Sequence, residues 1–242
     1  MLLLVFLVGL VTGFFDATIG AGGLIAVPSL IFLGLPPQVA IATDRFGTFG
    51  GSLTATYKFW KAKKIVWKYV LVLASLSLIG SVIGANILIK TNPAILQKVI
   101  GILLLVLLAI LLLKRDLGIN RKNKRRPQQI IGLVCYFFIA IFGGFFGQGS
   151  GPLIIFVLSS FLGLTVIEVL ATNEIPWSVL SIASVIIFGL HHIIYYKTGT
   201  VLLVGMAIGG YIGANTALRK GDIWVKRLFA TFVVVASFKL LF

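Results

Sequence analysis

The chain has 242 residues, of which 59% are hydrophobic and 11% are charged, and its mean hydropathy of +1.11 exceeds what a water-soluble core needs. This composition excludes an ordinary soluble protein and predicts lipid as the solvent. The net charge of +15 does not indicate a nucleic-acid partner, because the basic residues lie in short stretches between apolar segments.

The first predicted unit covers residues 1–113 and consists of a helical hairpin followed by three membrane-spanning helices. The apolar segments are expected to be helical because lipid cannot satisfy open backbone groups. The hairpin arms are too short to cross a hydrocarbon core ~30 Å thick, so their turn is expected near the middle of the membrane. In chain order, the arms are predicted at Leu2–Phe15 and Leu24–Gly34, and the spanning helices at Gln38–Trp60, Val66–Ile89 and Ala94–Leu113.

A basic linker, residues 114–128, connects this unit to a second one, residues 129–242, with the same order of elements. A shift of 129 positions places Gly20 on Gly149 and keeps one register through the spanning helices that follow, which indicates an internal repeat. The second hairpin is predicted at Gln129–Phe146 and Leu153–Gly163, and its spanning helices at Val166–Leu190, Thr200–Leu218 and Ile223–Leu241.

The basic residues indicate how the units lie in the membrane. They concentrate at Lys58–Lys68, Lys114–Arg126 and Arg219–Arg227, and the positive-inside rule assigns such stretches to the cytoplasm. A hairpin begins and ends on one side, so three further crossings leave each unit on the opposite side and the two units must be inverted. We therefore expect two inverted repeats in the cytoplasmic (inner) membrane with both termini extracytoplasmic, a plan that secondary transporters build around a central site.

Glycine-rich turns join the two arms of each hairpin. Glycine tolerates positive φ and lets the backbone approach a ligand, and the helix that follows presents unpaired N–H groups and the positive end of its dipole. Such a turn is suited to bind an anion. The predicted ligands are Thr18, Gly20, Gly22 and Gly23 in the first turn and Gln148, Gly149, Ser150 and Gly151 in the second. The spaced pairs Gly80/Gly84 and Gly209/Gly213 are expected only to pack helices.

The first spanning helix of each unit carries polar residues at equivalent positions, Thr43–Arg45 and Thr172–Glu174. Ionisable residues inside a membrane segment are costly and are therefore functional candidates. The expected substrate ligands here are Thr43, Arg45, Thr172 and Asn173, and Asp16 or Glu174 is expected to carry a coupled proton. Because Arg45 and Glu174 have opposite charges at equivalent positions, they are predicted to pair, either within the site or as an ion pair that only fixes packing.

No cofactor and no metal site is predicted. His191 and His192 are adjacent, so their side chains would point ~100° apart on a helix, and the single cysteine, Cys135, cannot form a thiolate cluster. We expect the two histidines to lie with Tyr195 and Tyr196 in a belt at the membrane interface. No catalytic motif stands out, so an enzyme is not expected.

These motifs resemble the TauE/SafE family of sulfite exporters, especially its bacterial YfcA-like branch, over nearly the whole chain. The resemblance is carried by Gly13–Asp16, Gly20–Ile25, Gly34–Pro37 and Ala42–Arg45 in the first half, and by Gly144–Gly147, Gly149–Gly151, Ala171–Asn173 and Ile212–Ala214 in the second. It implies export of a small anion, sulfite or an organosulfonate-like compound, driven by a proton or ion gradient. The chain departs from the family's usual pattern at Ala21, which interrupts a glycine run, and at Glu174, where a lysine is common.

The sequence therefore predicts a secondary transporter that exports a small oxyanion by alternating access, with the lipid bilayer and the small anion as partners and a homo-oligomer left open. Two alternatives remain. One is a cation or metal carrier that uses Asp16, Asp44 and Glu174, and the other is a membrane scaffold protein that transports nothing.

Overall fold

The computed structural model describes residues 1–91, 121–146 and 150–241, and the regular elements within these ranges are helices. They are α1 (Leu2–Ile19), α2 (Gly23–Phe32), α3 (Pro37–Lys61), α4 (Trp67–Lys90), α5 (Arg126–Phe146), α6 (Gly151–Val157), α7 (Val166–Leu190) and α8 (Tyr196–Leu241). Five helices in the described part are long and apolar enough to cross a membrane: α1, α4, α5, α7 and α8. The chain is therefore a polytopic α-helical membrane protein, as the composition predicts.

Helix α3 is the most polar of the long helices, and the polar side chains of its middle part are buried inside the bundle. It has 25 residues, enough to span a membrane at ~1.5 Å per residue, and it carries Asp44 and Arg45 in its first half. Both side chains are fully buried, together with Thr43, Thr48 and Ser52 of the same helix. Because lipid would not solvate these groups, the neighbouring helices have to enclose them.

The predicted length of the first hairpin arm was wrong. The sequence assigns Asp16 and Thr18 to the turn, but α1 continues to Ile19 and has 18 residues, or ~27 Å at the usual helical rise. The hydroxyl of Thr18 donates to the carbonyl of Phe14 at 2.7 Å, so this polar side chain is satisfied within the helix. Only α2, with 10 residues, is as short as predicted.

The turn after α1 begins at Gly20, which ends the helix in the left-handed conformation. Its φ is 69°, a value that glycine adopts without the steric cost that a side chain would bring. The N–H of Gly20 donates to the carbonyl of Asp16 at 2.8 Å, which satisfies one of the open carbonyls at the helix end. The turn therefore reduces to the few residues between Gly20 and Gly23.

The second hairpin is built differently from the first. Helix α5 begins at Arg126, three residues before the predicted start, and α6 continues as a π-helical segment, Leu158–Leu162, which ends at Gly163 with a φ of 75°. Pro152 lies in the first turn of α6, where its missing N–H removes no helical bond. The predicted ligands Gln148 and Gly149 lie outside the described residues, as does the predicted spanning helix Ala94–Leu113.

The last element, α8, contains two helices in succession. Gly221 interrupts the helical conformation with φ 81° and ψ 173°, between the predicted helices Thr200–Leu218 and Ile223–Leu241. The first of these helices starts at Tyr196, four residues earlier than predicted. The prediction of a break in this region is therefore confirmed.

Glycines bring the main helices into close contact, as predicted for the two spaced pairs. A Cβ placed on Gly80 of α4 would lie 2.8 Å from the Cβ of Ala140 in α5. A Cβ on Gly213 of α8 would lie 2.6 Å from the carbonyl oxygen of Phe14 in α1. Small residues at these positions let helix backbones approach closely, so α4 packs on α5 and α8 packs on α1.

Three contacts place the described residues of the three basic stretches at one end of the bundle, around the start of α7. The N–H of Val66 donates to the Thr172 hydroxyl at 3.0 Å, and the N–H of Ile167 donates to the Asp222 carboxylate at 2.7 Å. The N–H of Lys122 donates to the carbonyl of Gly163 at 2.9 Å. This arrangement agrees with the predicted common side of the basic stretches. Their assignment to the cytoplasm and the inversion of the two units stay predictions.

Candidate functional site

A small cavity lies where the turns of the two hairpins meet. Its volume, taken as the space open to the centre of a water molecule, is ≈ 20 Å³, which is room for about one water. The lining residues are Asp16 and Gly20 from the first unit and Gly151, Ile154, Ile155, Val169, Leu170, Asn173, Glu174 and Trp177 from the second. Five predicted site residues, Asp16, Gly20, Gly151, Asn173 and Glu174, are therefore brought together here.

The two turns contact each other through their backbones. A Cβ on Gly20 would lie 2.8 Å from the Cα of Gly151, and a Cβ on Gly151 would overlap the carbonyl of Gly20. Because neither position has room for a side chain, glycine is required at both for this close approach. The sequence predicts that both turns face one cavity, and in the structure Gly20 and Gly151 lie in direct backbone contact beside it.

The carboxyl group of Asp16 lies at the start of α2, where the sequence predicts a bound anion. It accepts a hydrogen bond from the backbone N–H of Gly22, which precedes the first residue of α2. A Cβ on Gly22 would lie 2.8 Å from the Cβ of Asp16 and 2.7 Å from the carbonyl oxygen of Thr12. The positive end of a helix dipole favours a negative group, so this turn already contains a carboxyl group, supplied by the protein, at the position expected for an anion. Gly22 and Gly23 do not line the cavity.

The hydroxyl of Ser150, just before α6, is fully buried and has no hydrogen-bond partner among the described residues. Buried polar groups normally have partners. Ser150 also adjoins Gly151, which lines the cavity. Among the predicted ligands, its hydroxyl is therefore one that has bonding capacity left for a substrate.

The predicted pairing of Arg45 with Glu174 was wrong. Arg45 and Glu174 form no ion pair with each other among the described residues, whereas Arg121 pairs with Glu168 at 3.2 Å. Arg45 instead approaches the hydroxyl of Ser181 at 3.5 Å, and Glu174 accepts from the hydroxyl of Ser52 at 2.5 Å. Each ionisable group therefore bonds to a serine of the other unit.

The two serines explain why opposite charges are tolerated at equivalent positions. Ser52 and Ser181 are themselves equivalent in the repeat, and a hydroxyl can donate or accept a hydrogen bond. Ser52 donates to a carboxylate, and Ser181 accepts from a guanidinium. Equivalent serines on α3 and α7 can therefore form a hydrogen bond with either a carboxyl or a guanidinium group.

A test of these contacts compares Ser52→Ala with Ser181→Ala. Ser52→Ala is expected to lower the free energy of unfolding by about 1–3 kcal/mol, because it removes a short hydrogen bond and leaves a buried carboxyl group without this donor. Ser181→Ala is expected to cost less than about 1 kcal/mol, because its bond to Arg45 is long and Arg45 keeps another acceptor. Unfolding of the purified variants in detergent measures both values, and equal losses would contradict this assignment.

Arg45 is held behind the cavity by Trp177. Its guanidinium donates to the carbonyl of Gly143 and lies 4.9 Å from the centroid of the Trp177 ring, which is within the range of a cation–π contact. Trp177 lines the cavity, whereas Arg45 does not. The indole therefore separates the predicted cationic ligand from the space in which a substrate would bind.

The sequence did not single out Trp177. The spacing could have identified it, because Trp177 lies three residues after Glu174 and residues at this spacing share one face of a helix. It is also the tryptophan in the middle of a predicted spanning segment, whereas Trp60, Trp67 and Trp224 lie at the ends of such segments, beside basic stretches. Its contact with Gly143 comes from another helix and could not be found from local sequence.

The threonines of the predicted site have structural partners. Thr43 accepts from the N–H of Tyr195 at 3.1 Å, and Thr172 accepts from the N–H of Val66 at 3.0 Å. Val66 and Tyr195 each precede the first residue of a long helix of the other unit, so both hydroxyls stabilise a helix start. Neither threonine lines the cavity, and the same holds for Thr18. We therefore leave all three out of the proposed site.

Thr43→Val and Thr172→Val test this structural role. Each is expected to lower the free energy of unfolding by about 1 kcal/mol, because a backbone N–H loses its acceptor. The stabilisation that sulfite, the substrate implied by the resemblance, gives in a thermal-shift measurement is expected to be the same in these variants as in the unmodified protein. Loss of binding without loss of stability would restore the threonines as ligands.

Four buried ionisable groups interact around the cavity, and three of them are carboxyls. Asp16 interacts electrostatically with Asp44 and Arg45, and Glu174 interacts with Asp16. If all four were charged, the negative charges would exceed the positive one by two. A low-dielectric interior penalises such an excess strongly. The cluster is therefore suited to take up protons or a cation during function.

The fold and the cavity together define a class of protein. Long apolar helices that cross a membrane enclose a small polar site between two helical hairpins, which is the arrangement of membrane transporters. The family model described as sulfite exporter TauE/SafE matches residues 5–240. The chain therefore belongs to the TauE/SafE family, and it is a multi-pass membrane transporter.

Three bacterial proteins match this chain over most of their own length. A protein of Haemophilus influenzae named "Probable membrane transporter protein" is 29% identical over 238 residues, which are 98% of this chain and 92% of the relative. The relative YfcA of Escherichia coli K12 is 26% identical over 237 residues, 98% of this chain and 88% of YfcA. YjnA of Bacillus subtilis is 27% identical over 258 residues, 98% of both chains. No solved structure matches this chain.

Proposed function

We propose that the protein is a secondary transporter that exports a small oxyanion, sulfite or an organosulfonate, across the cytoplasmic membrane by alternating access. The observation that carries this proposal is the meeting of two glycine turns, Gly20 against Gly151, at a buried polar cavity. The matched family is described as a sulfite exporter. In the proposed orientation, the two units are inverted and the basic stretches face the cytoplasm.

The cavity must open before an oxyanion can bind. Space for about one water does not accommodate sulfite, so we assign the structure to an occluded state of the cycle. Arg45 is bound to Gly143 and covered by Trp177 in this state. Opening would move the indole and bring the guanidinium to the anion, where it offsets the anion's charge together with the hydroxyl of Ser150.

The acidic lining of the cavity couples the anion to protons. An oxyanion that enters beside Asp16 and Glu174 is repelled as long as these groups are ionised, so its binding favours their protonated forms. The cargo is then the anion together with protons. An inside-negative membrane potential drives the export of any net negative cargo, at ~2.3 kcal/mol per charge per 100 mV.

The same lining favours the second candidate, a cation carrier. Asp16 and Glu174 could attract a cation that Asn173 also ligates, and Arg45 would then serve only to balance charge. No group of three or more histidine, cysteine or acidic side chains suited to a metal ion occurs in the described ranges. This finding makes a divalent metal the weaker of the two candidate substrates.

Flux measurements in proteoliposomes decide between the candidates. Vesicles with the reconstituted protein are loaded with labelled sulfite and given a membrane potential, and efflux is followed at acidic and at alkaline pH. We expect efflux that is faster at acidic pH and that sulfonates, but not divalent cations, inhibit. Inhibition by divalent cations alone would support the cation carrier. Absence of any flux, together with a stable protein complex in pull-downs, would support a scaffold protein.

A further inference from the structure

The carboxyl group of Asp44 has an environment unlike that of the other two carboxyls in the cluster. Its side chain is fully buried, and neither of its oxygens has a hydrogen-bond partner in the described part of the chain. Asp16 accepts from the N–H of Gly22, and Glu174 accepts from the hydroxyl of Ser52. Asp44 is thus the carboxyl that no described donor stabilises in its ionised form.

The equivalent position of the second unit shows what a satisfied neutral group looks like. Asn173 stands there, and its side-chain oxygen accepts from the hydroxyl of Tyr136 at 2.8 Å. Tyr136 is in turn bonded to Ser77 at 2.9 Å. Asp44 therefore combines an ionisable group with a lack of the donors that its neutral counterpart has.

An ionised carboxylate without a donor is very costly away from water, and in practice such a group is neutralised. A proton neutralises it without requiring further ligands. A bound metal ion would need several oxygen ligands around it, and the described residues offer no acidic group of three or more that could hold one. The environment of Asp44 therefore favours a proton over a metal ion.

We propose that Asp44 is a proton-binding site of the transport cycle, additional to the carboxyls that line the cavity. It holds a proton in the occluded state and releases it when the transporter opens this region to water. The proposal deepens the proposed function and rests on it, because the released proton would be counted with the exported anion.

Few other charged groups face Asp44 from the helices packed against α3. Helix α1 contributes Asp16, and Arg45 follows Asp44 on α3 itself. Glu174 of α7 acts on this group indirectly, because it interacts with Asp16. Helix α2 has no titratable side chain. Helix α8 contacts this part of α3 through Leu202 and Met206, and its first charged residue, Lys197, is exposed. Release of the proton is therefore controlled by opening and by the charges of Asp16, Arg45 and Glu174.

The test uses Asp44→Asn, which copies the residue at the equivalent position 173 and changes the shape of the side chain little. Asp222→Asn is the matched control, because it makes the same chemical change in a carboxyl at the end of the bundle that caps α7. Infrared spectra of the purified proteins in detergent are expected to contain the C=O band of a protonated carboxyl. We expect Asp44→Asn to lose this band and Asp222→Asn to retain it.

Proteoliposomes supply the second measurement, with labelled sulfite and a pH-sensitive dye inside the vesicles. Asp44→Asn is expected to move one proton fewer per sulfite while it still exchanges sulfite across the membrane, and Asp222→Asn is expected to keep the wild-type ratio. An unchanged ratio, an unchanged infrared band, or a sodium dependence that Asp44→Asn abolishes would overturn the proposal. If the wild-type protein moves no sulfite, the proposed function fails, and the infrared band alone decides whether Asp44 is protonated.

Discussion

Gly20→Ala is expected to destabilise the protein strongly and to abolish transport, whereas Gly34→Ala is expected to be tolerated. Both glycines have positive φ, 69° at Gly20 and 96° at Gly34, so an alanine at either position costs about 1–2 kcal/mol of backbone strain. The two positions differ in the room that is available for a side chain. A Cβ on Gly34 meets nothing within 4 Å, whereas a Cβ on Gly20 would lie 2.8 Å from the Cα of Gly151.

The additional cost at Gly20 comes from forcing the two hairpin turns apart. Overpacking in a dense interior typically costs about 1–3 kcal/mol, so we expect a total loss of about 2–5 kcal/mol for Gly20→Ala. Unfolding in detergent measures the two losses, and sulfite efflux from proteoliposomes measures the effect on transport. Similar stability and efflux in the two variants would show that contact between the turns is unimportant.

The sequence predicted the described spanning helices because their boundaries follow the apolar runs. Helix α7 has the predicted bounds, Val166–Leu190, and Gly221 breaks α8 where a break was expected. The end of α1 was missed because the polar residues Asp16 and Thr18 suggested a turn. The Thr18 hydroxyl bonds to a carbonyl of its own helix. From the sequence alone, a threonine at this position is compatible both with a turn and with a continuing helix.

The candidate site was harder to predict because its contacts join the two units. The glycines at positions 20 and 151 were identified from sequence because glycines cluster between the arms of both hairpins of the repeat. The partners of the ionisable residues were not. Ser52 and Ser181 lie on the opposite unit from Glu174 and Arg45, and opposite charge at equivalent positions suggested a direct pair instead. Charge patterns in a repeat show which residues matter but not which atoms they contact.

Arg45→Met is expected to lower the free energy of unfolding by about 3–5 kcal/mol and to abolish sulfite efflux. The change removes the positive charge that interacts with Asp16 and Asp44, and the loss of one partner from a buried charged group leaves the other uncompensated. Methionine retains much of the apolar length of the arginine, so lost volume contributes little. Arg121→Met is the control, because its ion pair with Glu168 is exposed and should be worth less than about 1 kcal/mol.

A second substitution separates the structural role of Arg45 from its role in transport. Arg45→Met combined with Asp16→Asn restores the net charge of the cluster, so we expect part of the lost stability to return, with a coupling energy of about 1–3 kcal/mol. Sulfite efflux is expected to stay absent, because no cation is left to offset the anion. Recovery of efflux in this double variant would rule out Arg45 as the anion's partner.

Combining Arg45→Met with Asp44→Asn tests whether Asp44 carries a proton. If Asp44 is already neutral in the occluded state, it does not depend on the charge of Arg45, and Asp44→Asn should return little of the stability that Arg45→Met removes. If Asp44 is ionised, the substitution Asp44→Asn should restore as much stability to Arg45→Met as Asp16→Asn does. The two double variants differ only in which carboxyl is neutralised. Their unfolding free energies therefore show which carboxyl Arg45 balances, and hence which one is left to carry the proton.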